Sequence, residues 1–360
     1  MKEIRDIVAA YDRALHEGQA AALATVISVE GSSYRQAGAR MLITEDGCMT
    51  GAISGGCLEG DALKKARLVM ERGLPKLVRY DTNDEDDAQV GLGLGCKGII
   101  EVLIEPLDRN AQNAIDLLRN TCAARELQVI VTHATRRAGE ASIGTCLLLS
   151  NDSETITTSA AARFQAQAKQ RLKDERTSLV RTDDEVLFCE LLQPELRILI
   201  CGAGNDAIPL TQLAAVLGWE THVIDGRPSH ATAARFPAAD KLSVLRLDQT
   251  ELLPQTDSRT VTVLMSHNYN YDVAMLRHLL GCETAYIGVL GPKRKLERML
   301  DEIGLDPEQL PANLFGPTGL DIGASTPEEI ALSIVAEIQS VIGKRAGTSL
   351  RERHQPIHAG

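Results

Sequence analysis

The 360-residue sequence predicts an α/β protein of two domains: a doubly wound parallel sheet in the C-terminal half and an α+β domain before it. Three observations carry that expectation. A strand-type apolar run at 197–201, the turn Gly202-Ala203-Gly204-Asn205-Asp206-Ala207, which fits G-x-G-x-x-A, and helical spacing over 209–217 come in the order strand, glycine turn, helix. Further apolar runs at 221–224, 243–247, 260–265 and 284–290 alternate with helical segments, and each ends in polar or glycine residues. The length suits two domains at ~100–200 residues each, and Gln193-Pro194-Glu195 breaks one strand just before the next begins. The expected division is therefore 1–192, 196–345 and a polar tail, 346–360.

Composition narrows the class. Hydrophobic residues at 44% and charged ones at 24% are ordinary globular values, while aromatics at 3% leave the cores to aliphatic side chains. A net charge of -11 argues against broad binding to nucleic acid or an anionic membrane, so a small anionic ligand must meet local positive groups. No early segment has the order of a signal peptide, and no apolar run approaches the ~20 residues that span a bilayer, so the expected compartment is the cytoplasm. The cysteines at 48, 57, 96, 122, 146, 189, 201 and 282 include no C-x-x-C pair, which counts against a zinc knuckle and a disulfide framework.

In the first domain, residues 3–16 place Ile4, Ile7, Val8, Tyr11 and Leu15 on one helical face, with Gly18 as a stop. An apolar strand at 22–29 and a returning strand at 38–43 flank a polar turn, where Arg35 and Arg40 are either anion contacts or surface charges of a hairpin. The sharpest feature is GAISGGCLEG, 51–60, in which Gly55 and Gly56 lead through Cys57 into a helix over 61–71. Backbone dipoles near a helix N-terminus favour thiolate, which makes Cys57 a candidate nucleophile or soft metal ligand; the plain alternative is a small residue among glycines. GLGLGCKG, 91–98, repeats the design around Cys96 before a strand at 99–104. Asp81, Asp84, Glu85, Asp86 and Asp87 lack the spacing of a calcium loop and read as a solvated acidic loop. A helix over 111–126, strands at 127–133, 144–150 and 185–192, and a charged helix through Arg171 complete the scaffold.

In the second domain Gly202 allows a tight turn, Gly204 lets the backbone approach a diphosphate, and Ala207 permits close helix packing, with Asn205 and Asp206 between them. The helix start then offers free N–H groups to an anion. The strand at 221–224 leads to Asp225, placed to accept both hydroxyls of a ribose, with Arg227 beside it. A turn that binds nothing is the alternative. Ligands in such sheets sit off the carboxyl ends of the strands, which adds Ser266, His267 and Asn268, then Gly291, Pro292, Lys293, Arg294 and Lys295. His267 is either a general acid or base or a polar strand cap. The basic cluster, completed by Arg298, suits a phosphate or a solvated helix face. GPTGLDIGA, 316–324, holds Asp321 in a glycine loop and runs into Thr326, Pro327 and Glu329, a capping box for an amphipathic helix over 330–342.

Together, GSSYRQAGARM, GAISGGCLEG, GLGLGCKGIIEVLIEPL, CGAGNDAIPL, VIDGRP, SHNYNYD, YIGVLGPKRK, GPTGLDIGASTPEEIALSIVAEI and the terminal PIH resemble the XdhC/CoxI family over nearly the whole chain. The resemblance implies an α+β domain of XdhC/CoxI type followed by a Rossmann-like domain. It implies a cytoplasmic accessory protein, not a dehydrogenase. Such a protein binds molybdenum cofactor, as molybdopterin or its dinucleotide form, keeps the sulfurated form intact and helps insert it into xanthine dehydrogenase or a related molybdenum hydroxylase. The residues singled out above would be its cofactor contacts, with Cys57 and Cys96 nearest the molybdenum or the delivered sulfur. A cysteine desulfurase or sulfurtransferase would be a second partner, and a homodimer is the default assembly. Asn205 stands where family members often have histidine, and Lys97 sets a cation beside Cys96. The alternatives are an NAD(P)-dependent oxidoreductase, with His267 as acid or base and Asp225 on the adenosine ribose, and a scaffold without a ligand.

Overall fold

The computed structural model describes residues 1–31, 33–81, 98–136, 142–306 and 310–354. Cys96, Lys97 and the acids at 84–87 lie outside the described residues. The chain divides into two compact units, Met1–Pro194 and Glu195–Gly360.

The first unit is built in the order α1 (Lys2–His16), β1 (Ala21–Gly31), β2 (Arg40–Thr44), β3 (Met49–Gly51), α2 (Glu59–Arg72), β4 (Lys76–Asp81), β5 (Gly98–Pro106) and α3 (Ala114–Ala123). It continues with β6 (Gln128–Thr135), β7 (Gly144–Leu149), β8 (Glu154–Ile156), α4 (Gln165–Lys173), β9 (Ser178–Arg181) and β10 (Glu185–Leu192). The strands form two antiparallel five-stranded sheets, ordered β3-β2-β1-β5-β4 and β8-β7-β6-β10-β9. Alternation along β5 shows how they pack: Ile100, Val102 and Ile104 join Ala62, Ala66 and Val69 of α2, while Leu103 joins Ile27, Ala134, Val186 and Phe188 drawn from both sheets. Ala168 of α4 packs with Val131, Cys146 and Cys189 of the second sheet. Both thiols are buried, as their apolar runs predict; burial pushes Cys146 up to about 12 and Cys189 up to about 11, so they serve as packing groups.

The second unit follows the order β11 (Arg197–Cys201), α5 (Ala207–Leu217), β12 (Glu220–Asp225), β13 (Lys241–Val244), β14 (Thr260–Leu264), α6 (Tyr269–Leu279), β15 (Tyr286–Val289), α7 (Lys293–Ile303), β16 (Leu314–Phe315) and α8 (Pro327–Ile342). Its six strands are all parallel, in the order β13-β12-β11-β14-β15-β16, which is the doubly wound sheet the sequence predicts. Alternate residues of β11 show why these runs are apolar throughout: Ile198 and Ile200 pack with Leu210 of α5 and Ile334 of α8, and Leu199 and Cys201 pack with Leu276 of α6 and Met299 of α7. The helix after the glycine turn starts at Ala207, two residues before the predicted start, because a proline such as Pro209 is tolerated in a first turn. Thr326 accepts from the Glu329 N–H and Glu329 returns the bond, so the predicted capping box begins α8. Among the described residues, no helix is long and apolar enough to cross a membrane.

Candidate functional site

The strand order of the second unit reverses between β11 and β14, and the loops leaving those two strands meet at that point. Gly202 has φ 129°, and a Cβ there would lie 2.5 Å from the carbonyl carbon and oxygen of Met265. No side chain fits. A Cβ on Gly204 would strike Asp206 Oδ1 and come 3.6 Å from His267 Cδ2. Asp206 Oδ2 lies 2.7 Å from His267 Nε2 and so ties the two loops together, while its buried Oδ1 has no hydrogen-bond partner among the described residues. His267 takes a left-handed φ of 57°, rare for a side-chain-bearing residue. The turn is also held by a residue that no motif announced: Arg235 donates to the Ala203 carbonyl at 2.7 Å and to Asn205 Oδ1 at 2.8 Å.

A cleft of about 480 Å³ opens at the carboxyl ends of β12 and β14, lined by Asp225, Gly226, Arg227, Ser266, His267, Asn268, Tyr269 and Tyr271. Asp225, expected to accept both hydroxyls of a ribose, already has both oxygens engaged within the unit. Its Oδ1 accepts from the Arg227 N–H at 2.8 Å and Nε at 2.9 Å, and its Oδ2 from the Ala203 N–H at 2.7 Å and Arg227 Nη2 at 2.8 Å. Burial alone would push this carboxyl up, but those hydrogen bonds outweigh it and hold it below the ordinary carboxylate range. The Arg227 guanidinium, half-exposed and ion-paired with Asp225, also lines the cleft. Asn268 caps α6, its side-chain oxygen accepting from the Tyr271 N–H at 3.2 Å.

Under this layer Ser266 Oγ donates to the fully buried Asp272 at 2.6 Å, and Lys295 Nζ reaches the other Asp272 oxygen at 2.7 Å and the Leu290 carbonyl at 2.8 Å. Lys295 thus leaves the basic cluster to pair a buried carboxylate. A Cβ on Gly291, at φ 128°, would lie 2.9 Å from that lysine's Cδ. Arg298 stacks on Tyr269, 4.4 Å from the ring centroid. Lys293 and Arg294 are exposed at the start of α7, and Asp321 is exposed in the loop before α8. None of these three is among the residues that line the cleft.

In the first unit, Cys57 stands two residues before the first residue of α2. The N–H groups expected to face its sulfur are taken by Ser54, whose Oγ accepts from Gly56, Cys57 and Leu58, each at 3.1 Å. Ser54 in turn donates to Glu59, and Glu59 also accepts from the Ser54 N–H at 2.8 Å and the Leu58 N–H at 3.1 Å. The Cys57 thiol lies 3.4 Å from Ser54 Oγ, partly exposed. Gly55 lies against the exposed Tyr34 ring, 3.4 Å from the position of an added Cβ, and Gly56 has φ 112° with open space on its Cβ side. Neither hairpin arginine is a free anion contact: Arg35 pairs with Glu3, and the buried Arg40 pairs with Glu190 at 2.5 Å. Among the described residues, no three His, Cys, Asp or Glu side chains converge as metal ligands.

Residues 14–81 match the family model described as the XdhC and CoxI family, and residues 198–338 match the XdhC Rossmann domain. A Bacillus subtilis (strain 168) protein, named as a probable subunit of xanthine dehydrogenase, is 31% identical over 334 residues, covering 91% of this chain and 94% of its own. The chain belongs to the XdhC and CoxI family. PaoD of Escherichia coli (strain K12), named a molybdenum cofactor insertion chaperone, is 26% identical over 335 residues, covering 91% of this chain and 85% of its own. The crystal structure of a Bacillus halodurans protein described as a xanthine dehydrogenase superposes with a TM-score of 0.78 at 31% identity, over 96% of this chain and 98% of the other. The XdhC Rossmann match spans every loop that forms the cleft, and the XdhC and CoxI match includes the Gly55–Cys57 turn.

Proposed function

We propose that this XdhC/CoxI protein binds molybdenum cofactor as cargo, protects its sulfurated form and helps insert it into a xanthine dehydrogenase-type molybdenum hydroxylase. The observation that carries the reading is the crevice where the 202–206 turn meets the 266–268 loop. Gly202 lets the turn pack directly on the Met265 carbonyl, α5 begins just after that turn and offers its first N–H groups, and the half-exposed Arg227, paired with Asp225, lies at the cleft. The phosphate of molybdopterin, or the diphosphate of its dinucleotide form, fits that donor set. The name of the Escherichia coli relative supports the same reading. Cys57 and Cys96 are the thiols proposed to handle the sulfur of the cargo. A cysteine desulfurase or sulfurtransferase partner, a homodimer and a cytoplasmic location belong to the same proposal. The competing NAD(P) oxidoreductase reading asks Asp225 to accept two ribose hydroxyls, which requires its bonds from Arg227 and Ala203 to open first, as a ribose of the dinucleotide cargo would too.

The test is to purify the chain from cells that make the cofactor and to measure bound molybdenum and pterin. Stoichiometric amounts of both are expected, with no oxidation of NADH or NADPH, and Cys57→Ala should lower transfer of sulfurated cofactor to an apo-hydroxylase. Absence of pterin together with tight NADPH binding and substrate-dependent turnover would replace this reading with the oxidoreductase one. Undiminished transfer by Cys57→Ala would remove the thiol from it.

A further inference from the structure

The first unit holds a cavity of about 930 Å³ that the proposed cargo role does not use. It opens at one end of the paired sheets, where Arg79, Ile99 and Glu101 of one sheet and Thr135 and Arg181 of the other contribute to its lining, together with residues of α2 and the segment after it. Its charges are unequal: Arg72, Lys76, Arg79, Arg136 and Arg181 stand against Glu30 and Glu101. Both carboxylates are already committed. Glu101, almost wholly buried, takes Arg136 at 2.5 Å and Arg181 at 3.2 Å, and Glu30 takes Arg181 as well. Arg79 sits directly opposite Glu101 in the strand register and reaches Asp81 at 3.6 Å. Arg72 and Lys76, both exposed, form no ion pair with any described residue. Of the rest of the lining, Thr135 and Ser142 are polar, while Leu68, Leu74, Pro75 and Leu77 are among the apolar residues.

Concentrating like charge around a partly apolar hollow is unfavourable unless something negative enters it, and the chain as a whole carries a charge of -11. We infer that this cavity is a second anion site, for a phosphorylated organic molecule of nucleotide size. Arg72 and Lys76 take the phosphate oxygens, since they alone among the lining cations are uncommitted among the described residues. The leucine and proline side chains cover the organic part.

Titration calorimetry of the full chain at low salt tests this, with inorganic pyrophosphate and ADP as the probes. Removing charge-assisted contacts should weaken binding of both probes at this site by about tenfold or more in Arg72→Ala/Lys76→Ala. ADP should bind more tightly than pyrophosphate, and Arg227→Ala, in the other unit, should leave this site's pyrophosphate affinity in place. Both substituted residues are exposed, so the double variant keeps its fold, which circular dichroism checks. Equal affinity of parent and double variant, or a loss that follows only Arg227→Ala, would overturn the assignment. Failure of both probes to bind would overturn it too. A glutamate-rich peptide that binds through Arg72 and Lys76 while both probes fail would give the surface to an acidic protein partner instead.

Discussion

Gly202 and Gly56 both adopt left-handed backbone, but only Gly202 is crowded, and the difference can be measured. Alanine at 202 meets the Met265 carbonyl as well as an unfavourable φ and should cost more than about 3 kcal/mol in urea unfolding. Alanine at 56 meets only the φ and should cost about 1–2 kcal/mol. Equal costs would show that the loop after β14 yields easily. The pattern G-x-G-x-x-A made the first of these glycines legible in the sequence, because the chemistry is local to the turn. Asp225 was legible in position but not in state: its partner Arg227 is two residues on, and only the fold of that bend shows the guanidinium turning back. Arg235 carried no signal, since its contact with Asn205 spans thirty residues of sequence and belongs to no motif. Ser54 carried a signal that the cysteine overshadowed. A serine hydroxyl can accept from N–H groups a few residues on, and here it collects those of the turn that were expected to face the sulfur.

Burial along the whole of β12 from Thr221 to Asp225 sets up a titration. His222 is buried, with Nε2 2.8 Å from Ser243 Oγ on the neighbouring β13. Burial first, then the positive charge of Lys241 and Arg197, pushes it down to about 4 from an ordinary 6.5. The unfolded chain therefore takes up this proton before the folded one does, so the contribution to stability is complete above pH 6.5 and is lost as pH falls through about 4. The urea midpoint of the second unit should fall over that window, and His222→Gln should flatten the fall; an unchanged profile would assign the acid sensitivity elsewhere. Strand β11 was legible because Ile198–Cys201 is a continuous apolar run, and β12 because Val223 and Ile224 lead into a polar end at Asp225 in the repeating strand-helix order. The strands β3, β4, β8, β9 and β16 were not, because each is an outer strand of its sheet, mostly two to four residues long, and β4 interleaves Lys76 and Arg79 with its buried Val78 and Tyr80. An element held by its neighbour's ladder shows little hydrophobic period of its own.

At the scale of the molecule, each unit has its own aliphatic cores, consistent with the low aromatic content. A fragment of residues 195–354 should fold alone and unfold cooperatively on heating. A fragment with no thermal transition would mean that the sheet needs the rest of the chain. The doubly wound half was readable because its strand-helix alternation repeats, whereas the pairing of two five-stranded antiparallel sheets in the other half depends on long-range register that alternation alone does not specify. The six-stranded sheet is also blunt at both sides: β16 offers two residues, and β13 offers four, starting with an exposed lysine, Lys241. Such borders give a stray polypeptide too short a row of amides to zip onto. Concentrated solutions of the protein should accordingly resist fibril growth, and a designed lengthening of β13 with apolar residues would be the change that invites it.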